Sequence, residues 1–174
     1  MDIKSVKKVN YIGKDILGCY ALTDIKDNIH FKDSTGKGMD WVESVVKYEK
    51  PDIVILDMGD KFADIKSERS DITLKAAAIH ARNIAKQYDC AVLWMSQLSA
   101  EAEGRADLNQ AMMEGSKTGK AAEADLMILI GKTQQAEGEE EDPKRYLNIA
   151  KNKLNGYQGK ITCMLDGSRS LYTA

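Results

Sequence analysis

Proline, histidine and cysteine are all scarce in this chain. Two prolines in 174 residues leave no proline-rich, disordered linker in view. Two separated histidines and three scattered cysteines (Cys19, Cys90, Cys163), none paired at ligand spacing, leave no zinc site. An odd number of thiols, set in or beside apolar runs, reads as buried cysteines of a reducing compartment. No apolar run approaches the roughly 20 residues of a membrane span, and the opening MDIKSVKKVNYIG lacks the apolar centre of a secretion signal. No membrane contact is expected, and a cytoplasmic location is. Charge of one sign is missing too. Lys and Arg number 25 against 27 Asp and Glu, a formal net charge of −2. Bulk charge therefore does not mark a nucleic-acid binder, and any such surface must come from local clustering.

What is present is the composition of an ordinary globular protein, 43% apolar and 30% charged, long enough for one domain with a sizeable core. Lys7 to Thr23 reads as two strands around a Gly13-Lys14-Asp15 turn, and Asn28 to Asp33 as a third short strand. Met39 to Lys50 is helical, with Val42, Val45 and Val46 on one face; Asp40 and Glu43 resemble a capping box, and Pro51 ends it. Asp52 to Asp57, DIVILD, is a continuous apolar run too short for a helix, hence a strand buried on both faces and parallel. The clearest helix runs from Asp71 to Tyr88, with Leu74, Ala77, Ala78, Ala81, Ile84 and Ala85 in register. Cys90 to Gln97 is a second buried strand. A long loop follows, and loops of that length are usually functional or disordered. Ala124 to Gly131 is a third buried strand. Arg145 to Lys153, Gly159 to Asp166 and the SLYT stretch read as antiparallel strands. The expected fold is α/β: a parallel sheet flanked by helices, with an antiparallel C-terminal margin.

In open α/β sheets, ligands collect beyond the carboxyl ends of the strands. Three of those ends are polar here: Asp57, Ser96-Gln97 and Gly131-Lys132-Thr133. A carboxylate able to hold hydrated magnesium, beside an amide able to sense phosphate, suits phosphoryl chemistry. On pattern alone the bland alternative stands equally: Asp57 caps a loop and Gln97 is a polar strand end. A phosphate cradle should read G-x-x-x-x-G-K-[ST] between strand and helix. None of the Gly-Lys pairs fits. Lys8, Phe31, Glu114, Leu126 and Leu154 occupy the first-glycine position of the five candidates. Gly131-Lys132-Thr133 follows a strand but leads into an acidic loop. The chain contains no Walker A motif.

The order of the pieces is informative. IVILD with a polar loop, a long helix, AVLWMSQLSAEAEGR, GSKTGKAAEADLMILI and RYLNIAKNKLNGYQGKITCMLD together resemble the C-terminal ATPase domain of DnaB-type replicative DNA helicases, in a phage-like form. Phage primase-helicases and RecA-like recombinases share the layout more loosely. The resemblance covers roughly Asn28 to Tyr172. It implies a RecA-like P-loop NTPase fold, truncated, with residues 1–27 as an N-terminal hairpin or extension and 28–174 as the core.

The resemblance also implies roles. Asp57 matches the Walker B acid that holds Mg2+ with ATP, and Gln97, with Ser96 beside it, the phosphate-sensing strand end. Lys151 matches the basic residue reaching a neighbouring subunit's γ-phosphate. Lys153 stands where the family usually has an arginine finger, and a lysine lacks the planar bidentate fork. Exposed strand charge is the alternative for both lysines. Channel loops that would meet single-stranded DNA correspond to segments carrying Lys61, Lys66, Arg69, Arg105 and Lys117, mixed with acids; solvated loop charge is the alternative. Trp94 and Tyr157 could stack on bases, although Trp94 lies in a buried strand. The family's Walker A loop and catalytic Glu lie upstream of Asn28, and residues 1–27 hold neither. The chain thus reads as the Walker B half of a ring-forming ATPase of a bacterial or phage-infected cell, inactive alone. Its partners would be neighbouring helicase subunits or a Walker A-bearing chain. A shortened chain, a split-gene product and a natural protein that lost hydrolysis all remain open. The alternative function is a non-catalytic RecA-like module that binds DNA or a helicase partner.

Overall fold

The computed structural model describes residues 9–12, 28–62, 70–115, 119–135 and 142–174. They fall into two compact units, Met1–Ser96 and Gln97–Ala174.

The first unit is a parallel sheet with two helices. Its strands are β1 (Val9–Ile12), β2 (Ile29–Lys32), β3 (Ile53–Leu56) and β4 (Ala91–Trp94), in the order β2-β1-β3-β4. Each neighbouring pair is parallel and in unbroken register. The expected N-terminal hairpin therefore looks different where it can be seen. Both edges of β1 are taken, in parallel, by β2 and β3, and the rest of the expected hairpin lies outside the described residues.

Helix α1 (Met39–Glu49) begins at Gly38, whose place at the N-cap supplies no side-chain bond. The expected Asp40–Glu43 capping box does not form. Glu43 instead accepts from His80 Nε2 at 2.8 Å and from the Tyr88 hydroxyl at 3.1 Å, which ties α1 to α2 (Ser70–Gln87). These two bonds, His80's first, hold the Glu43 carboxyl below its ordinary pKa. Lys50 closes α1 in the left-handed conformation, φ 49°, its N–H on the Val46 carbonyl, and Pro51 prevents continuation.

Both helices place their apolar stripes on one face of the sheet. Met39, Val42 and Val46 from α1 and Leu74, Ala77, Ala81 and Ile84 from α2 meet Val54 and Leu56 of β3, with Phe62 and Cys90. Five of these side chains (Val42, Val46, Val54, Leu56, Ile84) are fully buried, worth about 1.5–3 kcal/mol apiece. The other face is thinner. Ile53 and Ile55 are half-buried, and Leu93 and Met95 are 45% and 44% exposed.

The second unit is an antiparallel sheet, order β5-β6-β7-β8: β5 (Leu126–Gly131), β6 (Lys144–Asn152), β7 (Gly159–Asp166) and β8 (Leu171–Thr173). The third buried parallel strand expected from LMILIG is thus the edge strand of an antiparallel sheet. Met127, Leu129 and Gly131 point into a core, while Leu126, Ile128 and Ile130 remain exposed. That core is closed by the long loop, which has structure of its own. Two 3-10 turns, Ala100–Ala102 and Gln110–Met112, a bridge between Leu98 and Met113, and the short helix α3 (Gly119–Glu123) bring Ala102, Leu108, Met112, Met113 and Ala121 onto β5.

Two residues lock this loop. Asn148, buried in β6, donates to the carbonyls of Ala106 at 2.9 Å and Tyr146 at 3.2 Å and accepts from the Leu108 N–H at 3.3 Å. Gly131 is required by close approach: a Cβ there would lie 2.5 Å from the Arg105 carbonyl oxygen. The glycine of the Gly-Lys-Thr string is thus explained by packing.

Candidate functional site

Asp57 sits directly after β3, partly buried, and its peptide bond to Met58 is cis. The backbone then turns through a 3-10 segment, Gly59–Phe62, closed by bonds to the neighbouring strand: Met95 N–H donates to the Leu56 carbonyl at 3.1 Å, and Gly59 N–H to the Met95 carbonyl at 2.9 Å. The ends of β3 and β4 are therefore stitched together, as the sequence pattern led one to expect.

The carboxylate that gathers side chains here is Asp60. It accepts from Trp94 Nε1 at 3.0 Å and from the Ser96 hydroxyl at 2.6 Å, one oxygen each. Bonds to a charged acceptor are the stronger kind. The Trp94 ring reaches Asp60 across Gly59, where a Cβ would lie 2.4 Å from the indole. Gly59, Asp60, Trp94 and Ser96 thus act as one assembly fixing the loop that carries Asp57. Sequence reading singled out Asp57 and Ser96 and passed over Asp60 and Gly59. The available signal was a small residue and an acid directly after a strand, facing an indole on the next one; nothing in the one-dimensional string says that they meet. Trp94 packs against the core and bonds Asp60, as the core reading of that residue requires.

The remaining candidates lie in the second unit. Gln97 is exposed, and its backbone carbonyl accepts from the Glu114 N–H at 3.2 Å. Lys151 and Lys153, at and after the end of β6, converge on the last turn of α3. Lys151 Nζ donates to the Ala121 and Ala122 carbonyls, the latter at 3.3 Å. Lys153 Nζ donates to the Ala122 carbonyl at 3.3 Å and pairs with Asp125 at 3.4 Å. Cations at the carbonyl end of a helix are favourably placed. Lys120, of the Gly119-Lys120 string, is buried in α3. Of the expected DNA contacts, Arg105 is exposed, as is Lys61, while Lys66, Arg69 and Lys117 lie outside the described residues. Tyr157 is 54% exposed.

For a metal, no group of three or more His, Cys, Asp and Glu side chains converges among the described residues. A self-sufficient protein cage is thus not seen. A lone carboxylate at a strand end fits the other mode of magnesium binding, in which one or two carboxylates share the ion with waters and phosphate oxygens. Asp57 fits that role. No helix among the described residues is long and apolar enough to cross a membrane.

No protein-family model matches the chain, and no curated protein matches it in sequence. Solved structures do match. The chain superposes on a structure of a phage-type helicase ATPase domain with a TM-score of 0.71 at 18% identity, over 84% of this chain and 54% of that one. It superposes on a structure of a DnaB-like replicative helicase, described with its interactions with primase, with a TM-score of 0.75 at 16% identity, over 96% of this chain and 51% of that one. The chain therefore has the truncated RecA-like α/β fold of helicase ATPase domains, and it spans about half the length of the structures it matches.

Proposed function

We propose that this chain is the Walker B-bearing part of a DnaB-like, ATP-dependent DNA helicase, in which ATP hydrolysis drives movement on single-stranded DNA within a ring. One observation carries the proposal. A partly buried carboxylate and a Ser-Gln pair leave adjacent parallel strands at their carboxyl ends, in a fold shared with two helicase ATPase structures. Asp57 would hold Mg2+ with the ATP phosphates, Gln97 would sense the γ-phosphate, and Lys151 and Lys153 would serve a neighbouring subunit's nucleotide. Arg105, with Lys66, Arg69 and Lys117, would line the path of DNA phosphates.

The chain has no phosphate-cradling loop, so it should not hydrolyse ATP alone. Mixed with a Walker A-bearing partner chain, it should gain magnesium-dependent ATPase activity that Asp57→Asn abolishes. Turnover by the isolated chain, lost in Asp57→Asn, would contradict the half-site view. A second reading is favoured by three placements. The Ser96 hydroxyl is engaged by Asp60, Lys151 and Lys153 rest on α3 carbonyls, and Lys153 lacks the fork of an arginine finger. On that reading the chain is a non-catalytic module that binds DNA or docks on a helicase. Salt-sensitive single-strand binding with no gain of ATPase on mixing would select it.

A further inference from the structure

The outer strand of the first unit is built like an inner one. β4 reads Ala-Val-Leu-Trp: it holds no charge and no proline, and its register with β3 is unbroken, so there is no bulge. Natural edge strands carry one of those devices, because an open row of N–H and C=O groups recruits other strands. In this unit the row can be assigned group by group. The Ala91 and Met95 N–H groups donate to the Asp52 and Leu56 carbonyls, so the odd-numbered residues of β4 face β3. Val92 and Trp94 therefore turn their N–H and C=O groups the other way, and among the described residues no strand pairs on that side. The adjoining face is bare as well, with Leu93 and Met95 exposed. An all-parallel sheet is normally covered on both faces and continues to an edge that is protected.

We infer that the open edge of β4 is a docking edge for one further parallel, apolar strand supplied by a second polypeptide. That strand would use the Val92 and Trp94 backbone groups as two donors and two acceptors, and Leu93 and Met95 as its side-chain seat. Three observations choose this occupant. The free groups alternate along the strand, which selects extended backbone rather than a helix or a charged ligand. A second copy of the chain, joined through β4 about a two-fold axis, would pair antiparallel and break the direction of a sheet whose three pairings are all parallel. The solved structures of the same fold contain about as much chain again as this one.

The test uses the whole chain and no nucleotide or DNA, so its outcome is independent of the proposed helicase role. The probe is a capped synthetic peptide of Val, Ile and Thr, about eight residues long, with a nitroxide at its C-terminal end. Amide hydrogen exchange at Val92 and Trp94 should be fast in the free chain and slow at least about tenfold at saturating peptide, with Ala91 and Met95 unchanged. The nitroxide should broaden resonances at the Met95 end of β4 rather than the Ala91 end. Val92→Pro removes an outward N–H that β3 does not use, so it should retain the protection of α2 amides and lose the peptide effect. A peptide N-methylated along its pairing edge should fail on the unmodified chain, which covers the case of a Val92→Pro chain that does not fold. No protection at millimolar peptide, antiparallel binding, or equal binding of the N-methylated peptide would overturn the proposal. So would amides already protected in the free chain together with a dimeric mass.

Discussion

Replacing Gly59 by alanine is expected to destabilise the first unit, against the usual direction of such a change. The φ of Gly59 lies outside the left-handed region, so alanine meets no backbone strain there. Elsewhere, a Gly→Ala change at such a compatible position stabilises by about 0.4–1 kcal/mol through the unfolded chain. Here the added Cβ would lie 2.4 Å from two indole carbons of Trp94 and 2.6 Å from Nε1. The indole cannot swing away freely. It packs against the core, and Nε1 is bonded to Asp60. Overpacking of this kind costs about 1–3 kcal/mol, and losing a hydrogen bond to a charged acceptor about 1.5–3 kcal/mol. The net loss is about 2–5 kcal/mol. With a urea slope of about 1–3 kcal/mol per molar, the unfolding midpoint should fall by roughly 1–2 M. Both tryptophans, Trp41 and Trp94, belong to this unit and report the transition by emission. The decisive control is the pair with Trp94→Leu. In that background Gly59→Ala should cost no more than about 0.5 kcal/mol, because the obstacle is gone. An unchanged or raised midpoint in Gly59→Ala, or the same loss in both backgrounds, would refute the assembly of Gly59, Trp94 and Asp60 described above.

Glu43 gives an acid limb to stability. Its carboxyl is held below the ordinary value by His80 and Tyr88, so its contribution is complete above about pH 4.5 and disappears as pH falls through the lowered folded value. Glu43→Gln should flatten that limb in a series of urea titrations, and an unchanged limb would show the link between α1 and α2 to be ineffective. Burial, then Asp89, pushes the Cys90 thiol up. In a Cys19→Ser background, Cys90 and Cys163, both buried, should react with a disulfide reagent only under denaturant; rapid labelling of the folded chain would contradict their placement. Asn148→Ala leaves the Leu108 N–H and the Ala106 carbonyl without that partner. A loss of about 2–4 kcal/mol is expected in the second unit, from about 1–3 kcal/mol per unsatisfied buried group. Amide exchange across residues 106–108 should quicken first, and an unaffected loop would show that Asn148 does not hold it.

Much of the local structure was legible because it follows from periodicity and punctuation. The stripes of α1 and α2, the stop at Pro51, and the strand runs DIVILD and GKITCMLD were all readable within a residue or two. The strand-end position of Asp57 followed from the same pattern. Three things did not follow. The capping box failed because Glu43 found better partners 37 and 45 residues away, and a local motif cannot announce a distant competitor. LMILIG was read as a strand buried on both faces; the structure makes it an antiparallel edge with every second side chain exposed. An apolar string records how much burial a strand seeks, not which neighbour it takes. Lys151 and Lys153 stand on the strand where the pattern put them, yet their ammonium groups point to α3 carbonyls, a choice made by rotamers and by where a five-residue helix ends.

The sequence alone, then, decided which segments are helices and strands, that no Walker A loop is present, and which strand delivers Asp57. Those properties depend on residues close together in the chain, where side-chain period, glycine and proline act directly. The tertiary structure decided that β1 lies between β2 and β3, that Asp60 rather than Asp57 collects Trp94 and Ser96, and that Gly131 serves packing. It also left β4 with an inner strand's composition at an outer position. Each of these turns on a pairing between residues far apart in sequence, and the free energy of such a pairing is set by which surfaces meet after the chain has collapsed.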